Sequence, residues 1–288
     1  MTNLSAATPS TATRTTTPIS LPLRIWFGVE VLFGIAAIGA VFLRPEATAT
    51  NFAWPIKPAV MAATFGAFYF SVGLLFVLGM LARRWQQVRA ISLPAAVFTA
   101  FMLLTTFLHW DKFSVGTAPF YVWFASYLLP PPIFTALYIW HQKQSAPVGT
   151  AGQQPLPRMI VQFWFINGLA WIGGALLFYG FPPLLMAITP WKTTPLTVRA
   201  LCGWLIGVGL LQTCMAWEGD WQRVRIGTTM LVILPFALGF QLWRFRTQVQ
   251  WSNLPLWILL VDFGIAALLS IGLWLTFEQK SSRLRTGL

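Results

Sequence analysis

The chain has 288 residues, of which 57% are hydrophobic and 9% are charged. A soluble globular domain carries about 25% charged residues, so this chain has too few charges to cover a water-facing surface. The net charge of +12 would suggest nucleic acid in a soluble protein, but basic residues also collect in the cytoplasmic loops of membrane proteins. We therefore predict a protein that is embedded in the lipid bilayer and binds no nucleic acid.

Eight apolar stretches are long enough to cross a bilayer, whose hydrocarbon core of about 30 Å needs about 20 helical residues. The first stretch follows Arg14 and Arg24, as a signal peptide would, but it is too long for one and contains Glu30. The sequence thus predicts an all-α polytopic membrane protein with transmembrane helices at 21–43, 58–82, 88–109, 117–140, 159–180, 196–216, 225–244 and 255–277.

The sequence also repeats itself. A motif formed by Trp85, Gln86, Val88 and Arg89 reappears 136 positions later as Trp221, Gln222, Val224 and Arg225. At the same offset Gly73 falls on Gly209 and Pro119 falls on Pro255, and at an offset of 134 Gly34 falls on Gly168. Small shifts in offset fall in loops, where insertions are tolerated. We interpret the chain as a duplicated four-helix unit.

The repeat divides the chain into five parts. Residues 1–20, rich in Ser, Thr, Ala and Pro, form a predicted disordered cytoplasmic tail. Repeat 1 covers 21–140, a Gly-, Pro- and Gln-containing linker covers 141–158, and repeat 2 covers 159–277. Residues 278–288 form a predicted cytoplasmic C-terminal tail. Because four is even, both repeats enter the membrane from the same side, which predicts parallel repeats related by a pseudo-two-fold axis along the membrane normal.

Orientation follows from the distribution of Lys and Arg. With the N-terminus inside, about twelve basic residues lie on the cytoplasmic side and about seven on the other. This predicts that both termini and both copies of the repeated motif are cytoplasmic. The location expected is the inner membrane of a bacterium, with lipid as the surrounding partner.

Ionisable residues inside a membrane are costly and are functional candidates by default. Glu30 lies near the middle of the first helix and Asp262 in the outer half of the last, and neither acid has an acidic counterpart in the other repeat. Any site they serve is therefore asymmetric. The candidate intramembrane polar residues are Glu30, Tyr127, Asn167, Arg199, Gln212 and Asp262.

Two interpretations of these residues stay open. In one, the carboxyls relay protons or cations, because a desolvated carboxyl can hold a proton and release it on hydration. In the other they are structural: Asp262 pairs with Arg199, and Glu30 forms a hydrogen bond across helices or extends toward the cytoplasmic side.

Two features predict how the helices pack. Small residues that let helices approach recur as Ala63, Ala67 and Ser71 in the second helix and as Gly203 and Gly207 in the sixth. We expect close seams on these two helices, either against each other or within each repeat. Residues 130–132 are three prolines inside the fourth helix, where they must bend or break it. The outer half of this helix, with Tyr127, then forms a cavity wall; the alternative is a short helix followed by a turn.

Other chemistry finds little support. His109 and His141 lie at opposite ends of their helices and cannot ligate one haem together. Cys202 and Cys214 are roughly 18 Å apart along a helix, too far for a disulfide. No phosphate-binding loop, nucleophile elbow or zinc motif occurs, so we predict no cofactor and no metal.

Glu218 and Asp220 precede the second motif at the place where basic residues precede the first. These opposite charges predict a salt bridge between the halves.

One resemblance is carried by the second half. Trp191, the segment 195–201 and the segment 217–225 resemble a pattern in duplicated, multi-pass bacterial membrane proteins to which no activity is assigned. The half-unit is similar in outline to four-helix families of the DoxX type, without a shared motif. The resemblance implies a bacterial inner-membrane setting and no particular substrate.

Three classes of function follow in order of preference. The first is a structural or partner-binding membrane subunit, or a homo-oligomer, because no paired polar site recurs and the cytoplasmic loops are rich in Trp and Arg. The second is a small proton- or ion-coupled transporter that uses Glu30 and Asp262. The third is a membrane enzyme, disfavoured because no nucleophile, base and metal share one side of the membrane.

Overall fold

The computed structural model describes residues 17–145 and 154–286, with the backbone alone from residue 280 onward. It contains eight helices long and apolar enough to span a bilayer, as the sequence predicts. They are α1 (Leu21–Leu43), α2 (Ala59–Leu81), α3 (Arg89–Leu108), α4 (Ala118–Gln144), α5 (Arg158–Gly180), α6 (Pro195–Glu218), α7 (Trp221–Arg244) and α8 (Leu254–Thr286).

Only parts of the predicted tails and linker fall within the described residues. Residues 1–16 and 146–153, which hold most of the predicted N-terminal tail and the middle of the linker, lie outside the described residues. Thr17 and Ile19, at the end of the tail, instead pair through their backbones with Trp85 and Arg83. The backbone of α8 stays helical to Thr286, into the predicted C-terminal tail.

Capping residues and prolines set the helix ends. Ser20, Thr117 and Thr194 accept backbone hydrogen bonds at the starts of α1, α4 and α6, each followed closely by a proline. Proline suits the first turn of a helix because the N–H it lacks would have no partner there. Gly219, with a φ of 58°, ends α6 in the left-handed conformation that glycine adopts without strain. The chain can therefore turn at once into α7.

Two helices are irregular. The last turn of α1, Ile38–Leu43, is a π-helix. The prolines at 130–132 divide α4 into Ala118–Leu128 and Pro130–Gln144. Leu129 between the segments keeps helical torsion angles of −80° and −40°, so α4 continues across the bundle. The alternative of a short helix followed by a turn is wrong, because the prolines occupy the first turn of the second segment.

The two ends of the bundle are defined by contacts between loops. We call the side at which α1 begins the near side and the other the far side. On the near side, Pro18 pairs with Arg84 and, 136 to 137 positions later, Pro155 pairs with Asp220. On the far side, Ser114 donates to the Ala53 carbonyl, which joins the α3–α4 loop to the α1–α2 loop.

The helices contact one another in the pattern expected of two repeats related by a two-fold axis. Within the predicted repeats, α1 packs on α2 and α3 on α4, as α5 packs on α6 and α7 on α8. Between them, α2 packs on α7 and α6 packs on α3. A two-fold relation requires this exchange, so the packing supports the duplication, which stays a prediction. The central helices are α2, α3, α6 and α7, whereas α1, α4, α5 and α8 carry exposed apolar faces.

The small residues that predict close seams on α2 and α6 do not face each other. The α2 residues Ala63, Ala67 and Ser71 are buried. The α6 glycines face α3: a Cβ atom on Gly203 would lie 3.0 Å from Met102, and one on Gly207 would lie 3.2 Å from Phe98. Where α2 and α6 do meet, aromatic rings make the contact, with Phe68 stacked on Trp204 at 5.2 Å.

Other glycines set the closest crossings. A Cβ atom on Gly209 would lie 2.7 Å from the Gly168 carbonyl oxygen, which shows that α5 and α6 touch backbone to backbone. The equivalent residues in repeat 1 are Gly34 and Gly73, where a Cβ atom on Gly34 would lie 3.7 Å from the Gly73 Cα. The same glycine pair thus lies at the first crossing in both halves. At this pair the helices are closer in repeat 2, whereas α1 and α2 come closest at Gly66, where a Cβ atom would lie 2.6 Å from the Val41 carbonyl oxygen.

Candidate functional site

A cavity of about 310 Å³ lies between α1, α2, α3 and α4. We call it the repeat 1 cavity. It runs from the middle of these helices to the α1–α2 loop on the far side. Its lining consists mainly of aromatic and small side chains, with few polar groups: Glu30, Phe33, Gly34, Ala36, Ala37, Ala40, Asn51, Phe52, Tyr69, Val72, Phe76, Phe98, Thr99, Ala118, Pro119, Val122, Trp123, Ser126, Tyr127 and Trp204.

Glu30 is the acid of this cavity. It lies one helical turn before Gly34, is 5% exposed, and has a buried carboxyl oxygen, Oε1, with no hydrogen-bond partner. In the structure, therefore, neither a hydrogen bond across helices nor extension toward water gives this oxygen a partner. Burying a polar group without a partner costs free energy, so the unpartnered carboxyl oxygen makes Glu30 a candidate binding group of this cavity.

Two tyrosines of the lining, on different helices, are hydrogen-bonded to each other. The hydroxyls of Tyr69 on α2 and Tyr127 on α4 are 2.5 Å apart and hydrogen-bonded, and both side chains are buried. Tyr127 belongs to the outer half of α4, whose lining residues run from Ala118 to Tyr127. The prolines at 130–132 follow this wall without lining it.

The other polar groups of the lining are mostly satisfied by backbone. Thr99 donates to the Ala95 carbonyl and Ser126 to the Trp123 carbonyl. Asn51, in the loop above the cavity, donates from Nδ2 to the Ala40 carbonyl, while its buried Oδ1 has no partner. Asn51 is a site residue that sequence reasoning missed, because its loop reaches the cavity only through the fold.

The cavity opens sideways between α1 and α4. Ala36 on α1 and Ala118 and Val122 on α4 line it while remaining exposed on the outer surface. That surface is apolar on both helices, with Ile35 60% exposed and Tyr121 58% exposed. The exposed edge of the cavity is therefore apolar.

Asp262 lies in a different environment. It accepts a hydrogen bond of 2.8 Å from the Trp171 indole and one of 3.3 Å from the Asn167 amide. Asn167 also donates to Gln212 at 3.1 Å. The structure thus brings three predicted site residues together, with Trp171, which the sequence analysis missed, as the strongest donor. Glu30 is not among them.

The predicted pair of Asp262 with Arg199 is wrong. The Arg199 Nη1 lies 2.8 Å from the His109 Nε2, and its Nε donates to the Tyr179 carbonyl at 3.1 Å. Arg199 lies in the second turn of α6, near the far side, and contacts His109 at the end of α3, whereas Asp262 faces α5. Burial and the neighbouring Arg199 charge lower the pKa of His109, which favours the neutral ring, whose Nε2 can accept a hydrogen bond from the guanidinium group.

The two polar regions occupy equivalent places in the predicted repeats. Four residues that line the repeat 1 cavity, Phe33, Ala37, Phe76 and Ser126, align in the same order with Asn167, Trp171, Gln212 and Asp262. In repeat 2 a hydrogen-bonded cluster therefore fills space that is open in repeat 1.

Repeat 2 retains a cavity nearer the far side. This repeat 2 cavity has a volume of about 360 Å³ and includes Gly174, Leu205, Pro255 and Leu259, which align with Ala40, Tyr69, Pro119 and Trp123 of the repeat 1 cavity. In the described residues its lining holds no acid, base or histidine. The two cavities are therefore alike in size and position but differ in charge.

The repeated motif builds the near side. Trp85, Val88, Trp221 and Val224 are fully buried. Gln222 donates to Gln154 at 2.8 Å, whereas the buried Oε1 of Gln86 has no partner. The tryptophans and valines of the motif therefore pack inside the protein, and these tryptophans offer no surface to a partner.

Charged residues of the motif join the two halves. Arg89 forms a two-pronged ion pair with Glu218, with Nη2 and Oε2 2.5 Å apart, and Arg223 lies 3.6 Å from the same carboxylate. A salt bridge between the halves is present, but its repeat 1 partner is Arg89 and not Arg83 or Arg84, the basic pair that precedes the first motif. Arg225 lies 3.9 Å from Glu278 in an exposed position.

The described residues contain no cluster of three His, Cys, Asp or Glu side chains that could hold a metal ion. Cys202 and Cys214 are both free.

No protein-family model matches the chain, and searches of curated proteins and of solved structures return no match. The eight apolar helices define an integral membrane protein, and any activity has to be argued from the site itself.

Proposed function

We propose that the protein binds a small molecule with an apolar body, which enters the repeat 1 cavity from the bilayer and is held through its polar group by Glu30. The observation that carries this proposal is the unpartnered Glu30 oxygen in a laterally open cavity. The cavity volume of about 310 Å³ lies within the range of about 300–1,000 Å³ typical of small-molecule sites.

A partner-binding subunit, which the sequence favours most, gains no support from the repeated motif. Both motif tryptophans are buried and Arg89 is engaged by Glu218, although Trp217 before the second motif is 84% exposed. Coupled transport through Glu30 and Asp262 is also less favoured, because Asp262 is held by α5 and lies outside the repeat 1 cavity. Ligand binding needs Glu30 alone.

The proposal includes the setting. We infer two parallel four-helix repeats in a bacterial inner membrane, with the near side in the cytoplasm. The excess of Lys and Arg on the near side supports this orientation. The far side, toward which the repeat 1 cavity extends, then faces away from the cytoplasm.

Filling the cavity tests the proposal. Ala37→Trp places in repeat 1 the side chain that repeat 2 carries at the aligned position, Trp171. The photoreactive probe 4-[3-(trifluoromethyl)diazirin-3-yl]benzyl alcohol, supplied in the bilayer, is expected to label lining residues of α1 and α4 saturably in the wild type. In Ala37→Trp this labelling should fall by roughly tenfold or more, because the indole occupies the site.

The matched control is Ile35→Trp on the lipid-facing side of the same helix, where the wild-type side chain is 60% exposed. It should leave the saturable labelling of the lining residues unchanged. Equal labelling of these residues in Ala37→Trp and the wild type, mapped by mass spectrometry of the adducts, would show that the probe reacts from the lipid face and would overturn the proposal.

A further inference from the structure

We infer that the ligand of the repeat 1 cavity is a lipophilic organic cation, a protonated or quaternary amine with an apolar body. This inference rests on the proposed function and adds the charge of the ligand. It depends on three features: the charge inventory of the lining, its aromatic composition, and the comparison with the repeat 2 cavity.

The charge inventory favours a cation. Glu30 is the one acid of the lining, and no Lys, Arg or His lines the cavity in the described ranges 17–145 and 154–286. A buried carboxylate without a counter-charge is strongly disfavoured. A bound ammonium group would supply the positive charge that no side chain of the lining supplies to Glu30. An anionic ligand would meet Glu30 with no basic residue to offset it.

The aromatic lining suits an organic cation in particular. Tyr69, Phe76, Phe98, Trp123, Tyr127 and Trp204 line the same cavity as Glu30. Aromatic rings attract ammonium groups through their negative faces, and cages of such rings are a common site for quaternary ammonium ligands. A metal ion is a poorer candidate, because hard cations need several oxygen ligands and the lining offers one carboxyl group.

The repeat 2 cavity lacks these features. The residue aligned with Glu30 is the buried Trp164, and those aligned with Tyr69 and Tyr127 are Leu205 and Phe263. The acid in the middle of a helix of that half, Asp262, already accepts two hydrogen bonds. The molecule thus contains two cavities of similar size, one with a free acid and one without ionisable groups, and only the first is suited to a cation.

The test compares two probes of the same shape in nanodiscs of zwitterionic lipid. Benzyltrimethylammonium carries a permanent charge, and neopentylbenzene is its neutral carbon isostere. The wild type is expected to bind the cation in the repeat 1 cavity at least tenfold more tightly than Glu30→Gln does. Asp262→Asn removes the other intramembrane acid and is expected to keep the wild-type affinity for the cation.

Binding of neopentylbenzene to Glu30→Gln verifies that the variant is folded and its cavity intact. Equal cation affinity in the wild type and Glu30→Gln, or a wild-type repeat 1 cavity that admits only the neutral isostere, would overturn the cation assignment and leave the proposed function standing. If neither probe enters the repeat 1 cavity, and Ala37→Trp leaves the labelling unchanged, the proposed function itself fails.

Discussion

Gly168→Ala is expected to lower the free energy of unfolding by about 2–3 kcal/mol, as overpacking of a close contact does. A Cβ atom at this position would lie 2.6 Å from the Gly209 carbonyl oxygen and would also overlap the Thr213 side chain. Thr213 can rotate, but the backbone of α6 cannot yield without separating the two helices. Alanine is favoured over glycine in a helix by about 0.5–1 kcal/mol, which is too little to offset the clash.

Gly173→Ala is the matched control on the same helix. Gly173 is exposed, and a Cβ atom there would have no neighbour within 4 Å. This variant should be neutral or slightly more stable. Both are measured by unfolding in mixed micelles of mild detergent and dodecyl sulfate. Equal stability of Gly168→Ala and Gly173→Ala would contradict the backbone-to-backbone crossing of α5 and α6.

Glu218→Gln is expected to destabilise the protein by about 2–3 kcal/mol, somewhat less than the loss of one partner of a fully buried ion pair. The Glu218 side chain is 5% exposed and faces both Arg89 and Arg223. The substitution leaves two guanidinium groups beside a neutral amide. Because Arg89 belongs to the first half and Glu218 to the second, the change also loosens the near-side contact between the halves.

The control for this charge is Glu278→Gln. Its carboxylate lies 3.9 Å from Arg225, and both side chains are well exposed. Exposed pairs contribute about 0–1 kcal/mol, so this variant should melt within a degree or two of the wild type. If Glu278→Gln lost as much stability as Glu218→Gln, the buried pair would have no special role in joining the halves.

The helices could be predicted because lipid imposes one simple requirement on the sequence. About 20 apolar residues are needed for each crossing, and every predicted stretch overlaps a helix of the structure. The break at residues 130–132 followed from the missing N–H groups of proline. The continued course of α4 did not, because the torsion angles of Leu129 depend on how both segments pack.

The site was only partly predictable. Glu30 could be identified because an acid inside a membrane helix is costly, but its cavity arises where four helices fail to fill the space between them. Asp262 was matched to Arg199 on depth alone, which says nothing about the direction in which a side chain points. Trp171 could have been found by comparing the repeats. It places a large side chain with a hydrogen-bond donor in the middle of a helix, at the position where repeat 1 has the small residue Ala37.

Comparison of the two halves also shows how their cavities differ. Each half of the chain contains a cavity, and among the described residues the one in the first half is lined by an unpartnered acid, whereas the one in the second half is lined by none. In repeat 2, Trp171 and its neighbours satisfy the acid and leave an apolar cavity beside it. The activity of the protein is therefore assigned to what distinguishes the halves.

The most direct test is a crystal structure with 4-bromobenzyltrimethylammonium, in which anomalous scattering locates the bromine. We expect one bromine site between α1 and α4 in the repeat 1 cavity, with the ammonium group beside the Glu30 carboxyl. A bromine site in the repeat 2 cavity instead, or none in a crystal soaked well above the measured Kd, would contradict the claim.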